Sequence, residues 1–286
     1  MIVAIVGPTA VGKSDLAIDL AERIDAEIVS ADSMQVYVGM DIGTAKVPES
    51  ERRGVPHHML DVWAVDHEVS VVEFRDRARA AIVDVEARGR DVVIVGGSWL
   101  YVQAILDEMD FPGTDPEVRA RLEQELAESG PEVLHARLAQ LDPDAAAAIL
   151  PTNGRRLVRA LEVVELQGSF TARLPEPRPW REARWIGLSC DRLVLDARIT
   201  GRVERMWELG LVDEVRSLLG RMGRTASGAL GYRQVLEALE GEGDMEIARQ
   251  RTIDGTRHFA RRQERRFRQD TRVHWVPAGT SASDLL

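Results

Sequence analysis

An α/β fold, a parallel sheet flanked by helices and interrupted by a small all-helical insertion domain, is predicted by three observations. A short apolar run, Ile2 to Val6, leads directly into Gly7-Pro8-Thr9-Ala10-Val11-Gly12-Lys13-Ser14, after which Leu16, Ala17, Leu20 and Ile24 recur at helical spacing. Asp91 to Val95 forms a second, uninterrupted apolar run, the mark of a central parallel strand covered on both faces. Between residues 115 and 168, by contrast, the periodicity is wholly helical.

The 7–14 stretch matches the G-x-x-x-x-G-K-[ST] pattern at every fixed position, with a strand before it and a helix after it. The core is therefore expected to be P-loop NTPase-like. In such a loop successive backbone N–H groups and the helix dipole converge on one anion. Lys13 adds a mobile charge for an outer phosphate, and Ser14 offers a hydroxyl to a magnesium ion. The chain is expected to bind a di- or triphosphate, and the loop alone leaves open which one.

Composition narrows the classes. The 286 residues suffice for one large domain with an insertion, and Cys190 is the only cysteine, which excludes an internal disulfide and a cysteine-built zinc site. No basic residue precedes the apolar start, and no stretch approaches the ~20 apolar residues of a membrane span. A soluble, cytoplasmic protein with no membrane partner is expected. The net charge of −10 is unevenly spread: Arg249 to Arg272 holds nine arginines against three acids, so this segment is +6 within an otherwise acidic chain. Such asymmetry hints at a polyanion-binding face, although a solvated, salt-bridged helix has the same composition.

Taken in order, Glu27 to Ser30 reads as a second buried strand ending at Asp32-Ser33-Met34-Gln35. Ligands of open parallel sheets sit beyond the carboxyl ends of the strands, so Asp32 is expected to face the same crevice as Lys13; capping of the next turn is the competing role. Residues 36–69 read as a long loop across the active face, in which His57 and His58 are structural or solvent-facing. Ser70 and Glu73 form a capping box that starts a helix with Phe74, Ala78, Ala81, Ile82 and Val85 on its apolar side. The strand 91–95 ends in Gly96-Gly97-Ser98, without the acid that a nucleotide hydrolase or kinase often places there for magnesium and water.

Four helices are expected in the insertion, residues 115–180, between core segments 1–114 and 181–286. Leu157, Leu161 and Val164 mark one side of the last of them, while Arg155, Arg156 and Arg159 project from the other. Pro175, Pro177 and Pro179 give a stiff, extended return linker. Trp185 to Ser189 resumes the sheet, and in the next helix Arg198 and Arg202 lie four apart, able to reach one anion together. A loop from Thr225 to Tyr232 precedes a long C-terminal helix with Arg257, Arg261, Arg265 and Arg268 on one face. Val273 to Val276 is the last strand.

Several stretches together resemble one family, the tRNA dimethylallyltransferases, or tRNA isopentenyltransferases, of bacterial type. They are GPTAVGKS at 7–14, SADSMQVYVGMDIGTAK at 30–46, VGGSWLYVQA at 95–104, DPEVRARLE at 115–123, RRLVRALEV at 155–163, RITGRVERMWELGLVDEV at 198–215, ALGYR at 229–233 and TRHFARRQ at 256–263. The resemblance implies transfer of a dimethylallyl group from dimethylallyl diphosphate to N6 of the adenosine 3′ to the anticodon, in tRNAs reading codons that begin with U, with release of diphosphate. It implies that residues 7–14 with Arg202 hold the diphosphate beside Mg2+ at Ser14. It also implies that Asp32 engages the target amine, with Lys13, Ser98 and Arg202 completing the catalytic group. By the same resemblance Asp32, Ser33, Met34, Gln35, Ser98, Arg119, Arg155, Arg156, Arg159, Gly231, Tyr232 and Arg233 fall in stretches that contact tRNA. Arg257 and Arg261, on the basic helix face, join them, and a monomer is expected. Ser98 stands for the usual threonine, Gly228 for a glutamine or arginine, and Glu264-Arg265-Arg266 departs from the family pattern.

The chemistry of these residues agrees. An allylic carbon departs easily when the charge growing on its diphosphate is stabilised. An exocyclic adenine amine is a poor nucleophile, for which a carboxylate serves as base or hydrogen-bond acceptor. The alternatives are a P-loop small-molecule or nucleoside kinase, a prenyltransferase acting on free adenylate, and a non-catalytic nucleotide-dependent RNA-binding protein.

Overall fold

The computed structural model describes residues 1–171, 177–241 and 243–286. The chain divides into two compact units, one of residues 1–107 with 179–286 and the other of residues 108–178. The division comes seven residues earlier than the expected start at 115, because Glu108 N already donates to Arg178 O at 2.7 Å and ties the two ends of the second unit together.

In the first unit six strands form one parallel sheet: β1 (Ile2–Val6), β2 (Ala26–Ser30), β3 (His57–His58), β4 (Asp91–Gly96), β5 (Arg184–Ser189) and β6 (Val273–Pro277). Their order is β3-β2-β4-β1-β5-β6. Side chains alternate across this sheet. Ile2, Ala4, Val6, Val92, Ile94 and Trp185 face one apolar layer. Val3, Ile5, Val93, Ile186 and Leu188 face the other. Two-sided cover is why these strands read as continuous apolar runs rather than alternating ones.

The helices of this unit are α1 (Lys13–Ile24), α2 (Val71–Ala87) and α3 (Trp99–Leu106), followed after the second unit by α8 (Arg192–Glu208), α9 (Leu211–Leu218), α10 (Arg224–Ser227), α11 (Tyr232–Leu239) and α12 (Met245–Phe267). The Ser70–Glu73 capping box is formed at the start of α2. The region expected as a plain loop at 225–232 contains α10, a single turn whose start is fixed from outside: Glu68 accepts the Thr225 N–H at 3.1 Å and its hydroxyl. Residues 36–69 are mostly irregular, as expected, but His57–His58 adds an edge strand to β2. His58 Nε2 lies 2.6 Å from the buried Glu27 carboxylate, a structural pairing that Arg88 shares at 2.7 Å.

The second unit is α4 (Pro116–Ser129), α5 (Pro131–Leu141), α6 (Pro143–Ala147) and α7 (Gly154–Gln167) around Leu122, Leu134, Leu138, Ile149, Leu157 and Leu161. Asp115 and Asp142 cap α4 and α6 in front of a proline at the first helical position. Of the expected proline linker, Pro175 lies outside the described residues. Asp107, where the first unit ends, is buried and bound through both oxygens by Arg272 at 2.6 and 2.9 Å, while Arg272 also holds Asp270 at 2.7 Å and stacks over Trp185.

Candidate active site

The register of the sheet brings three strand ends level. Val6 pairs with Gly96 and Gly187, and Ser30 pairs with Val95. The segments that follow β1, β2 and β4 therefore open on one side and line a cavity of about 1280 Å³. It is larger than the 300–1,000 Å³ common for small-ligand sites.

Gly7 leaves β1 at φ +139°, and a Cβ there would stand 2.8 Å from Leu188 O, so only glycine fits beside β5. Ala10 follows at φ +64°, a left-handed conformation unusual for alanine, and Gly12 at φ +102° starts α1 without any side-chain cap. Side chains cap α2, α4, α6, α7, α8 and α12, whereas α3, α5, α9 and α10, like α1, have no side-chain cap bond. The first N–H groups of α1 are thus left for an anion.

Lys13 Nζ donates to Pro8 O at 2.7 Å across the loop. Burial, reinforced by the nearby Arg202 charge and opposed by Asp32, brings its pKa down to about 7. Arg202 donates to Thr9 Oγ1 at 3.3 Å and Arg198 to Val11 O at 3.3 Å, both from α8 and both lining the cavity. Burial lowers the pKa of Arg202 as well, with Asp32 opposing. Two cations so placed are short of counter-charge, which is the condition of an anion site.

Asp32 fills both of the roles open to it. Its Oδ1 caps the following turn by accepting the Met34 N–H at 2.8 Å, while the side chain lines the cavity with Lys13 and Arg202. The end of β4 contributes backbone: Gly96 lies so close to Ala31 that a Cβ would meet Ala31 O at 2.7 Å, and Gly97 is packed against Gln263. Gln263, buried on α12, in turn accepts the Thr9 N–H at 2.9 Å. Ser98 caps α3 by position only; its side chain makes no cap bond, and it is not among the residues lining the cavity.

Other expected residues are already occupied. Gln35 lines the cavity, accepts from Ser30 Oγ at 2.9 Å and donates to Thr44 O at 3.2 Å, so its amide is bonded within the fold. Tyr232 is fully buried and gives its hydroxyl to Glu214 at 2.5 Å. Gly231 is buried too, which leaves Arg233 as the exposed member of that stretch. Met34 packs on the apolar core, and Ser33 is half-buried.

In the second unit Arg119 and Arg159 do not project freely: both bind the buried Glu162 carboxylate, at 2.6 and 2.7 Å, and Arg159 also donates to Pro112 O and Gly113 O. Burial alone would raise the Glu162 pKa; the two guanidinium groups and the Asp115 N–H outweigh it and lower it. Arg155 is exposed, and Arg156 is half-buried. On α12, Arg257 donates to Thr200 Oγ1 at 2.8 Å, whereas Arg261 is about half exposed with Asp196 at 3.9 Å.

Among the described residues no group of three acidic, histidine or cysteine side chains is arranged to hold a metal. The Ser14 hydroxyl lines the cavity and has no hydrogen-bond partner among the described residues. One free hydroxyl beside an anion site suits magnesium, which takes few protein ligands and completes its shell with water and phosphate oxygens.

A profile of the IPP transferase family matches residues 35–270. The chain is 61% identical to a tRNA dimethylallyltransferase of Thermobifida fusca, over 100% of this chain and 92% of that protein. It is 57% identical to one of Acidothermus cellulolyticus, over 98% and 90%. The crystal structure of a full-length tRNA isopentenylpyrophosphate transferase from Bacillus halodurans superposes with a TM-score of 0.72 at 40% identity, covering 97% of this chain and 89% of that one. A eukaryotic dimethylallyltransferase acting on tRNA gives a TM-score of 0.78 at 26% identity, covering 99% and 77%. A match over most of the chain by the profile, and near end to end by the relatives, places this protein in the IPP transferase family.

Proposed function

We propose that this enzyme transfers a dimethylallyl group from dimethylallyl diphosphate to N6 of the adenosine 3′ to the anticodon of tRNA, releasing diphosphate. The observation that carries the reading is one cavity holding both halves of the chemistry. Lys13 and Arg202 line it with an uncapped helix start, and Asp32 lines it too; in this reading the cations receive the leaving anion and the carboxylate receives a proton.

In the reaction the allylic C–O bond breaks, a C–N6 bond forms, and N6 loses one proton. The N–H groups of residues 10–14, Lys13 and Arg202 hold the diphosphate and stabilise the charge that grows on it. Ser14 is the residue that would hold magnesium, which when bound supplies further charge neutralisation to the diphosphate. Asp32, held by the Met34 N–H, keeps one carboxylate oxygen for the amine, as base or acceptor. The adenine must leave its stack to reach this cavity.

Arg155, Arg233 and Arg261, exposed and basic, are the residues best placed to meet RNA phosphates, and binding is then salt-sensitive. The residues following β4 include no acid until Asp107, which Arg272 occupies. This disfavours the kinase alternative.

The test is direct. The protein, magnesium, dimethylallyl diphosphate and an anticodon stem-loop are incubated together, and the RNA is weighed for one five-carbon addition. An unchanged RNA mass, together with a phosphorylated acceptor when ATP is supplied, overturns the reading.

A further inference from the structure

One wall of the cavity is loop rather than sheet: Asp41, Ile42, Thr44, Ala45 and Lys46 line it. A loop wall needs an anchor, and this one is a carboxylate from a distant helix. Glu214, on α9, accepts the N–H groups of Asp41 at 3.0 Å, Ile42 at 2.8 Å and Gly43 at 3.2 Å. Three successive N–H groups converging on one point form a concavity for an anion, and Glu214 fills it.

Its Oε1 also accepts the hydroxyl of Tyr232 at 2.5 Å, whose ring lies flush against Gly43, leaving no room there for a Cβ. From the other side of the loop Lys46 Nζ holds Tyr37 O at 3.0 Å and the carboxylates of Asp41 and Asp61 at 2.5 and 2.6 Å. The wall then reaches Asp32 through one residue. Gln35 donates to Thr44 O at 3.2 Å and Ala45 O at 3.4 Å and lies three residues beyond Asp32 in the same turn.

We propose that Glu214 and Tyr232 are positioning residues for the transfer reaction: they hold the 41–46 wall, and through Gln35 the Asp32 turn, in the geometry the prenyl donor meets. The inference rests on the proposed function. Neither residue lines the cavity, so each acts through the loop. Charge-assisted bonds to three N–H groups are strong and directional, and loss of the carboxylate frees the wall without touching the phosphate loop.

The experiment compares Glu214→Ala, Glu214→Gln and Tyr232→Phe with the wild-type chain. Two quantities are read: the kcat/KM for dimethylallyl diphosphate in prenyl transfer, and the Kd for inorganic diphosphate by calorimetry. Misplacement by about an ångström costs up to about 100-fold. Glu214→Ala is therefore expected to lower kcat/KM for dimethylallyl diphosphate about tenfold, and Glu214→Gln and Tyr232→Phe to lower it less. The inorganic diphosphate Kd should stay within about twofold of wild type.

A lowered Tm with an unchanged kcat/KM makes Glu214 merely structural and overturns the proposal. Equal weakening of both ligands also overturns it, since the phosphate loop has then moved. If Glu214→Ala does not fold, Tyr232→Phe, which keeps the ring, decides the matter by the same two readouts. A wild-type chain that binds inorganic diphosphate yet transfers no prenyl group overturns the reaction reading instead.

Discussion

Lys13 illustrates how much a single residue reports about its ligand. A lysine whose pKa is brought down to about 7 by burial and by Arg202 is partly neutral in the free protein at physiological pH. A bound diphosphate favours the ammonium form. Binding above pH 7 therefore takes up a proton, and affinity for diphosphate falls as pH rises through this range. Calorimetry at pH 8 in buffers of different ionisation enthalpy should read an uptake approaching one proton, which Lys13→Met should abolish. The linked effect on folding has the opposite sense. Unfolded chains bind this proton more readily than folded ones between about 7 and the ordinary lysine value, so stability contributed by this group rises with pH over that window. Asp32→Ala tests the other side of the cavity. Steady-state kinetics should show kcat lowered about 10²–10⁴-fold with a much smaller change in the KM for dimethylallyl diphosphate. Near-normal turnover would remove Asp32 from the mechanism.

At the scale of elements, buried charges decide how the second unit is held. Glu162 on α7 is fully buried and binds Arg119 of α4, its own neighbour Arg159, and the Asp115 N–H that opens α4. Glu162→Ala removes all of these at once. Denaturant unfolding of the full chain should show a loss of about 3 kcal/mol, the lower end of the range for breaking a buried pair, because both guanidinium groups remain partly solvated. In the first unit the elements meet through small residues. Gly97→Ala drives a methyl into Gln263, the residue that ties α12 to the Thr9 N–H, so diphosphate affinity should fall in the same calorimetric assay even though no ligand contact is removed.

Across the whole molecule the charge asymmetry is the main lever on RNA. The +6 segment is less free than its composition suggests: Arg268 pairs with Glu264 and stacks on Trp275, Arg272 is bound by two aspartates, and Arg257 is turned to Thr200. Arg261 of this segment, and Arg155 in the second unit, are exposed. Arg261→Ala and Arg155→Ala should each weaken binding of an anticodon stem-loop and lower the slope of log K against log salt by about one, measured by filter binding. Arg159→Ala should instead behave mainly as a stability change in the second unit, with a smaller effect on the slope, since its guanidinium is already bound to Glu162, Pro112 O and Gly113 O.

Sequence by itself determined five of the six strands, the phosphate loop, the helical insertion, the cap at Ser70, and the family. These are written in short-range patterns: a two-residue or 3.6-residue period, a motif of eight residues, a cap three residues from its partner. Only the tertiary structure decided which polar side chains are free. Arg119, Arg159, Gln35 and Tyr232 sit in motifs that read as RNA-facing, yet each is satisfied inside the protein by a partner far along the chain or around a turn. Glu214 falls inside the 198–215 stretch, but nothing in that pattern says that it accepts the Gly43 N–H, 171 residues away. Local pattern records the face a residue needs to bury, whereas its hydrogen-bond partner is chosen by which distant segment packs against that face. The 41–46 segment is legible as part of a loop across the active face, but its anchoring by Glu214 belongs to that second kind of information.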